Sequence, residues 1–344
     1  MSDGCGAARR NIGDAIPPAP EGPGFLARRL LNITAAETAR ALPFEVLVPA
    51  LREGFARGAH TPARHHHTID EAANATLLLM PSWTDGEHLG VKLVNVFPAN
   101  SAAGRPALSS AYVLASAATG EHLAVIDGNE LTRRRTVATS ALAASHLARR
   151  DSATLLIVGA GHIGGLAAAA YRSVLDLRTV LVYDRTPAHA RRLVDALHAE
   201  GVDARPVTGG LAEAAAAADI ITCATLATEP VIRGEWLAPG THLDLIGSFR
   251  PSMREADDAC VRRGTVYIDT PVALEESGDL TQPIAAGVLG RDDIAGTLPQ
   301  LCREEVPGRR DAEQITVFKA VGSGLADLTA AAVVYRSASR RPPE

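Results

Sequence analysis

Gly159, Gly161 and Gly164 punctuate the stretch TLLIVGAGHIGGLAA (154–168), where an apolar strand pattern runs through a glycine turn into an alanine-rich helix. The first glycine permits a tight turn, the second lets backbone amides approach a pyrophosphate, and the third allows the helix to pack closely on the strand. The phosphates would then rest on the positive end of the helix, with His162 and Ile163 in the same loop. A second strand pattern, TVLVYD, ends in Asp184, and an acid about 20 residues past the last glycine suits a ribose diol. The neighbouring Arg185 and Thr186 suit a 2′-phosphate instead, so use of both NADH and NADPH is expected.

Three cations are set apart by their surroundings. Lys92 interrupts the strand pattern VKLVNVFP, Arg64 lies in TPARHHHT, and Arg135 lies in LTRRRTVATSA. Alternation alone does not decide whether each points to solvent or into a site. Met80, in ATLLLMPSW, reads by default as core packing. His65, His66 and His67 are adjacent, but neighbouring side chains on an extended segment point in opposite directions, and no metal site is expected from them. The acidic run Glu255, Asp257 and Asp258 reads as a solvated helix start, with Glu255 able to tie down the loop before it. For Lys319 and Asp327, an internal ion pair and a role at a cleft both stay open.

From residue 154 onward, strand patterns alternate with helical ones, the signature of a parallel sheet covered on both faces. The expected strands are LLIVGA, TVLVYD, DARPVT, DIITCATL, HLDLIGS and TVYIDT, with a helix over 187–199. The preceding part reads as a helix over 45–56 and a mostly antiparallel sheet from ATLLLMPSW, GVKLVNVFP, SSAYVLAS and HLAVID. A helix over 131–147 joins the two parts, and the apolar helix over 324–335 is expected to return to the first. The expected class is therefore α/β, a Rossmann doubly wound domain over 136–324 beside a smaller α/β domain from 25–135 plus 325–344. Residues 1–24, rich in Gly, Pro and Ala, read as a disordered tail.

The 344 residues carry a net charge of −5 with the basic residues dispersed, which provides no footprint for nucleic acid or an anionic membrane. Cys5, Cys223, Cys260 and Cys302 are far apart and form no C-x-x-C pair, a usage that suits a reducing cytoplasm. No apolar run reaches membrane-spanning length. A small molecule is the expected partner.

The ordered set PAR, LLMP, VKLVN, DGNELTRRRTVATSA, VGAGHIGG, TLATEPVIRGEW, GSFRPSMREADD, ESGD and VFKAVGSGLAD resembles the ornithine cyclodeaminase and mu-crystallin family along nearly the whole chain after the tail. The resemblance implies a homodimer whose smaller domain makes the dimer, with substrate in the cleft between domains. It further implies that Arg64, Lys92 and Arg135 hold the substrate carboxylate, that Lys92 also handles a proton, and that Met80 lies at the substrate pocket. Thr136 and Thr139 are placed along the cofactor cleft, and Thr225 and Leu226, in the matched TLATEPVIRGEW segment, join the cofactor-binding set.

Two departures narrow the activity. Where the cyclodeaminases carry a glutamate ahead of the LMP strand end, this chain has Leu78, and where they carry an aspartate after the glycine of the fifth dinucleotide-domain strand, it has Ser248. Both positions are expected at the substrate. Without these acids, deamination with ring closure lacks its carboxylates, whereas reduction of a preformed cyclic imine needs only carboxylate binding, a hydride and one proton. The expected activity is NAD(P)H-dependent reduction of cyclic ketimino acids: Δ1-pyrroline-2-carboxylate to L-proline and Δ1-piperideine-2-carboxylate to L-pipecolate. A cyclodeaminase, an alanine dehydrogenase-like oxidoreductase and a non-catalytic ligand-binding protein are the alternatives.

Overall fold

The computed structural model describes residues 30–340. The tail expected over 1–24 lies outside them. Within them, the first sheet contains β1 (Leu31–Ile33), β2 (His65–Asp70), β3 (Ala75–Trp83), β4 (His88–Val96), β5 (Leu108–Ser116) and β6 (His122–Asp127), in the order β1-β6-β5-β4-β3-β2. Strands β2 to β6 pair antiparallel, and β1 adds to β6 in parallel. Because side chains alternate between faces, the register that sets Met80 opposite Lys92 and Lys92 opposite Tyr112 puts all three on one face.

That face is covered by helices. Helix α1 (Ala35–Ala41) opens with a capping box between Thr34 and Glu37, and α2 (Phe44–Arg57) buries Leu47, Val48, Leu51 and Phe55 at helical spacing. Helix α3 (Gly128–Leu147) is started by Asp127, whose carboxylate accepts the Glu130 N–H at 2.8 Å. Its Ala138, Ser140, Ala141, Ala143 and Ala144 are all buried, so small residues all round let it lie enclosed between the two halves of the molecule.

The second sheet holds β7 (Thr154–Val158), β8 (Thr179–Tyr183), β9 (Ala204–Pro206), β10 (Ile220–Cys223), β11 (His242–Leu245), β12 (Thr265–Ile268), β13 (Ile294–Thr297) and β14 (Thr316–Lys319). Every pairing is parallel, in the order β13-β12-β14-β11-β10-β7-β8-β9. Two of these strands, β13 and β14, exceed the six expected. IAGT holds an interior glycine and TVFK runs into a lysine, so neither stands out as an apolar run, yet β14 lies between β11 and β12. The connecting helices are α4 (Gly164–Arg172), α5 (Pro187–Ala199), α6 (Leu211–Ala217), α7 (Asp258–Arg263), α8 (Ala273–Glu276), α9 (Gly278–Ala285) and α10 (Leu298–Cys302). The last helix, α11 (Gly324–Ser339), returns to pack against α2, β3 and β4.

One apolar cluster runs from Leu47 and Phe55 through Leu131 and Leu142 to Tyr171 and Val180, so the first sheet and one side of the second share a core. A second cluster, including Leu156, Ile221, Leu243 and Val317, fills the other side of the parallel sheet. Truncating a buried leucine such as Leu142 to alanine would cost about 2–5 kcal/mol. Polar bonds fix α3 on the parallel sheet as well: buried Asp244 accepts from Ser140 of α3 (3.0 Å), Tyr171 of α4 (2.7 Å) and Thr222 of β10 (2.6 Å). No helix among the described residues is long and apolar enough to cross a membrane.

Candidate active site

At the carboxyl end of β7 each glycine does a different job. Gly159 has φ +104°, and a Cβ there would lie 2.6 Å from the Ala224 carbonyl oxygen. At Gly164 a Cβ would lie 1.9 Å from the Gly159 carbonyl oxygen, so only glycine lets α4 start this close to the strand. Gly161 differs, since nothing lies within 4 Å of its would-be Cβ. The loop thus leaves open space in front of a helix N-terminus, which fits a dinucleotide pyrophosphate. Exposed His162 and half-buried Ile163 complete it.

Asp184 follows β8 directly. Its Oδ2 accepts the Ala160 N–H at 2.9 Å and its Oδ1 the Thr186 N–H at 2.8 Å, with His189 Nδ1 3.4 Å from Oδ1. The carboxylate is therefore held at the rim of the cradle, beside exposed Arg185 and Thr186. Thr225, just beyond β10, gives both its N–H and its hydroxyl to Glu255 Oε1, at 2.7 and 2.8 Å, and Leu226 next to it is 78% exposed. Thr136 is half-buried, and Thr139 is buried with its hydroxyl bonded to the Arg135 carbonyl at 2.8 Å.

Between the two sheets lies a cavity of about 400 Å³, with Arg64 and Met80 on one side, Asp269 to Val272 from the end of β12 on another, and the segment from Gly322 into α11 on a third. Lys92, the cross-strand partner of Met80, is 2% exposed, and its Nζ lies 2.7 Å from Asp327 Oδ2. Arg135 Nε donates to the other oxygen, Asp327 Oδ1, at 2.8 Å. One buried carboxylate thus serves two buried cations, which leaves that group of three with a surplus positive charge.

The titration directions follow from this arrangement. Burial drives Lys92 down to about 8 against the opposing pull of Asp327, and the positive charges of Arg135 and Arg64 push the same way as burial. Burial alone would raise Asp327, but Arg135 and Lys92 outweigh it and hold the carboxyl below its ordinary value. Arg64 lines the cavity itself, whereas Lys92 and Arg135 lie behind Met80 and Gly322: the Arg64 Nε lies 3.1 Å from Glu276 Oε1 of α8, and its Nη2 donates to the Gly322 carbonyl at 3.1 Å.

Asp327, left open between two readings in the sequence, is thus brought directly to Lys92 and Arg135. Lys319 is not; it lies 3.2 Å from Asp279, both fully buried. Leu78 shares a face with Met80 but is not among the residues lining the cavity. Ser248 corrects the expectation of a side chain at the substrate. It is fully buried, and its hydroxyl bonds the Met253 carbonyl at 2.7 Å and Ser277 Oγ at 2.9 Å. Glu255 likewise departs from a solvated helix start. It is fully buried and joins the loops after β10 and β11 through Thr225 and the Gly247 N–H (2.6 Å), while Asp257 alone caps α7. His65, His66 and His67 stand exposed on the edge strand β2. Reading the residues missed Asp269, which lies in the expected strand TVYIDT, and Glu276, which opens the matched run ESGD, because no spacing singles out either.

An open glycine cradle on a parallel sheet, together with a cation-rich cleft built with a second sheet, defines a two-domain dinucleotide-binding α/β protein. The chain belongs to the ornithine cyclodeaminase/mu-crystallin family, whose model matches residues 32–341. It is 36% identical over 291 residues to the Delta(1)-pyrroline-2-carboxylate reductase of Paracoccus denitrificans, covering 81% of this chain and 92% of that one. The Thermococcus litoralis Delta(1)-pyrroline-2-carboxylate reductase, solved with NADH and L-proline, superposes with a TM-score of 0.85 at 30% identity, over 90% of this chain and 98% of that one. An archaeal alanine dehydrogenase dimer with bound NAD superposes with a TM-score of 0.84 at 28% identity, over 90% and 96%.

Proposed function

We propose that this protein is an NAD(P)H-dependent reductase of cyclic imino acids, converting Δ1-pyrroline-2-carboxylate to L-proline and accepting the six-membered homologue. The observation that carries this reading is the buried Lys92–Asp327–Arg135 group beside a cavity of about 400 Å³ in a chain with an open dinucleotide cradle. In this proposal Arg64 and Arg135 bind the substrate carboxylate, because guanidinium forks match carboxylates in geometry and charge. Lys92, with its affinity for the proton lowered to about 8 by burial, gives a proton to the ring nitrogen as the imine carbon is reduced. Bound nicotinamide would supply the hydride. The chain's own contribution is to hold the ring carboxylate fixed, exclude water and keep a proton at Lys92 Nζ.

Gly159, Gly161, Gly164, His162, Ile163, Thr225 and Leu226 would hold the dinucleotide, with Thr136 and Thr139 behind them and Asp184 at the adenosine ribose. The apolar wall formed by Met80 suits ring methylenes, and burying an ammonium there unpaired would cost several kcal/mol. This favours a preformed ring over ornithine.

A homodimer and a cytoplasmic setting complete the proposal. The first sheet's face opposite Lys92 carries half-buried Leu77, Leu79, Val91, Leu93 and Val113, which a second copy would cover.

The test is oxidation of NADH and NADPH by purified protein with five- and six-membered ketimine carboxylates, with pyruvate plus ammonia, and with ornithine plus NAD in the reverse sense. Activity with the cyclic imines alone supports the proposal. Ammonia release from ornithine, or inertness toward every ketimine, overturns it.

A further inference from the structure

Asp269, at the carboxyl end of β12, has no part in the reaction just described, yet it is 1% exposed and lines the cavity. Its Oδ2 accepts the N–H groups of Val321 (3.0 Å) and Gly322 (2.7 Å). Gly322 is where the cleft's cations converge. Its carbonyl accepts from Arg64 Nη2, its φ is +83°, and a Cβ there would lie 2.5 Å from Arg135 Nη1. Both arginines belong to the first-sheet part of the chain, while Asp269 belongs to the parallel sheet.

We propose that Asp269 is a positioning residue for substrate binding, which fixes the Val321–Gly322 backbone so that Arg64 and Arg135 are set together to receive a carboxylate. The inference rests on the reading of these arginines as the carboxylate site and adds the group that aligns them. Its geometry is economical: two amide bonds on one oxygen determine where the Gly322 carbonyl points, and that carbonyl restrains Arg64, while the missing side chain seats Arg135. The charged group acting on Asp269 is Arg135 from α3, and Arg64, from ahead of β2 and paired with Glu276 of α8, lines the same cavity. Burial raises Asp269 to about 6, with the Gly322, Val321 and Thr270 amides and then Arg135 resisting the rise. A charged carboxylate accepts amide bonds more strongly than a neutral one. The arginine pair is therefore best aligned above about pH 6 and loosens below it.

The test uses full-length protein loaded with NADH and two ligands, L-proline and cyclopentanecarboxylate, which share the carboxylate but not the ring nitrogen. Asp269→Ala is expected to weaken both by a similar factor of about ten, equivalent to ~1.4 kcal/mol, with NADH affinity unchanged. Asp269→Asn, which keeps an oxygen for the two amides but not the charge, should recover only part of the loss, like a protonated Asp269. Weakening confined to proline would mean that Asp269 meets the ring nitrogen directly and would overturn the proposal, as would unchanged carboxylate binding or a parallel loss of NADH affinity. Should the variants fail to fold, wild-type protein still decides. Its cyclopentanecarboxylate affinity must fall as pH drops through about 6, and a flat profile refutes the role. Wild-type protein that binds neither carboxylate would overturn both this inference and the carboxylate site beneath it, whereas carboxylate binding without imine turnover would count against the reductase reading alone.

Discussion

Around Gly161 the chain presents backbone and empty space, whereas around Asp327 it presents full ionic charges sealed from water. The first region works by omission: three positions lack side chains so that a strand, a turn and a helix end can meet. The second works by mutual compensation, since one carboxylate, Asp327, bonds both buried cations, Lys92 and Arg135, and offsets the cost of burying their charge. A cofactor shared by many enzymes needs little more than a shaped backbone, while discrimination of a small acid calls for fixed charges.

Substitutions separate the two regions by what they damage. The largest effect is expected from Lys92→Met, which should lower turnover by about 10²–10⁴-fold while NADH binding, followed by fluorescence, stays near native. Near-native turnover would move the proton to another group. Asp327→Asn comes next: leaving two buried cations uncompensated should cost about 3–5 kcal/mol, seen in denaturant titration, whereas an unshifted midpoint would show that the cations relax toward solvent.

The glycines sharpen the contrast. Gly164→Ala must displace the Gly159 carbonyl and should cost about 1–3 kcal/mol of stability as well as cofactor affinity. Gly161→Ala meets nothing in the protein, so calorimetry should find its melting temperature unaltered while the KM for NADH rises. Equal destabilisation by both would contradict the open-cradle geometry.

A pH profile probes the charged region alone. Lys92 is protonated below about 8 and neutral above, so kcat/KM with a cyclic imine should decline as pH rises through about 8. A profile flat across that range would remove Lys92 as proton donor. The smallest effect belongs to Asp184→Asn, where loss of the negative charge should shift the NADPH to NADH ratio of kcat/KM a few-fold, about 1 kcal/mol, toward NADPH. An unchanged ratio would place the ribose elsewhere.

Legibility in the sequence followed the same division. The cradle could be read because its chemistry is local: Gly159 to Gly164 and Asp184 fall within one strand-helix-strand unit, and their spacing alone carries the geometry. The strands around Lys92 were legible from alternation, and Lys92 and both arginines from ordered resemblance. Asp327 was not. It lies 192 residues from Arg135 inside an apolar helix, and no local pattern reports which cation such an acid will meet. Ser248 failed in the opposite sense, because a position in an alignment says nothing of where the hydroxyl turns, and here it turns inward to Met253 and Ser277. Strands β13 and β14 read IAGT and TVFK, which carry no apolar run to set them apart from loop.

The placement of β14 has a consequence for how the chain is made. Strands β12 and β13 reach the rest of the parallel sheet only through β14, the last strand in the sequence, which then leads straight into α11 and the first half of the molecule. During synthesis the β10, β7 and β8 segment can assemble early, but β12 and β13, which until then can pair only with each other, wait for β14 to leave the ribosome before they can join it. Such late, long-range closure is slow and leaves apolar edges open for association. A premature stop ahead of Thr316 would therefore not trim a border of this protein. It would leave the sheet in two unjoined pieces and Lys92 without Asp327.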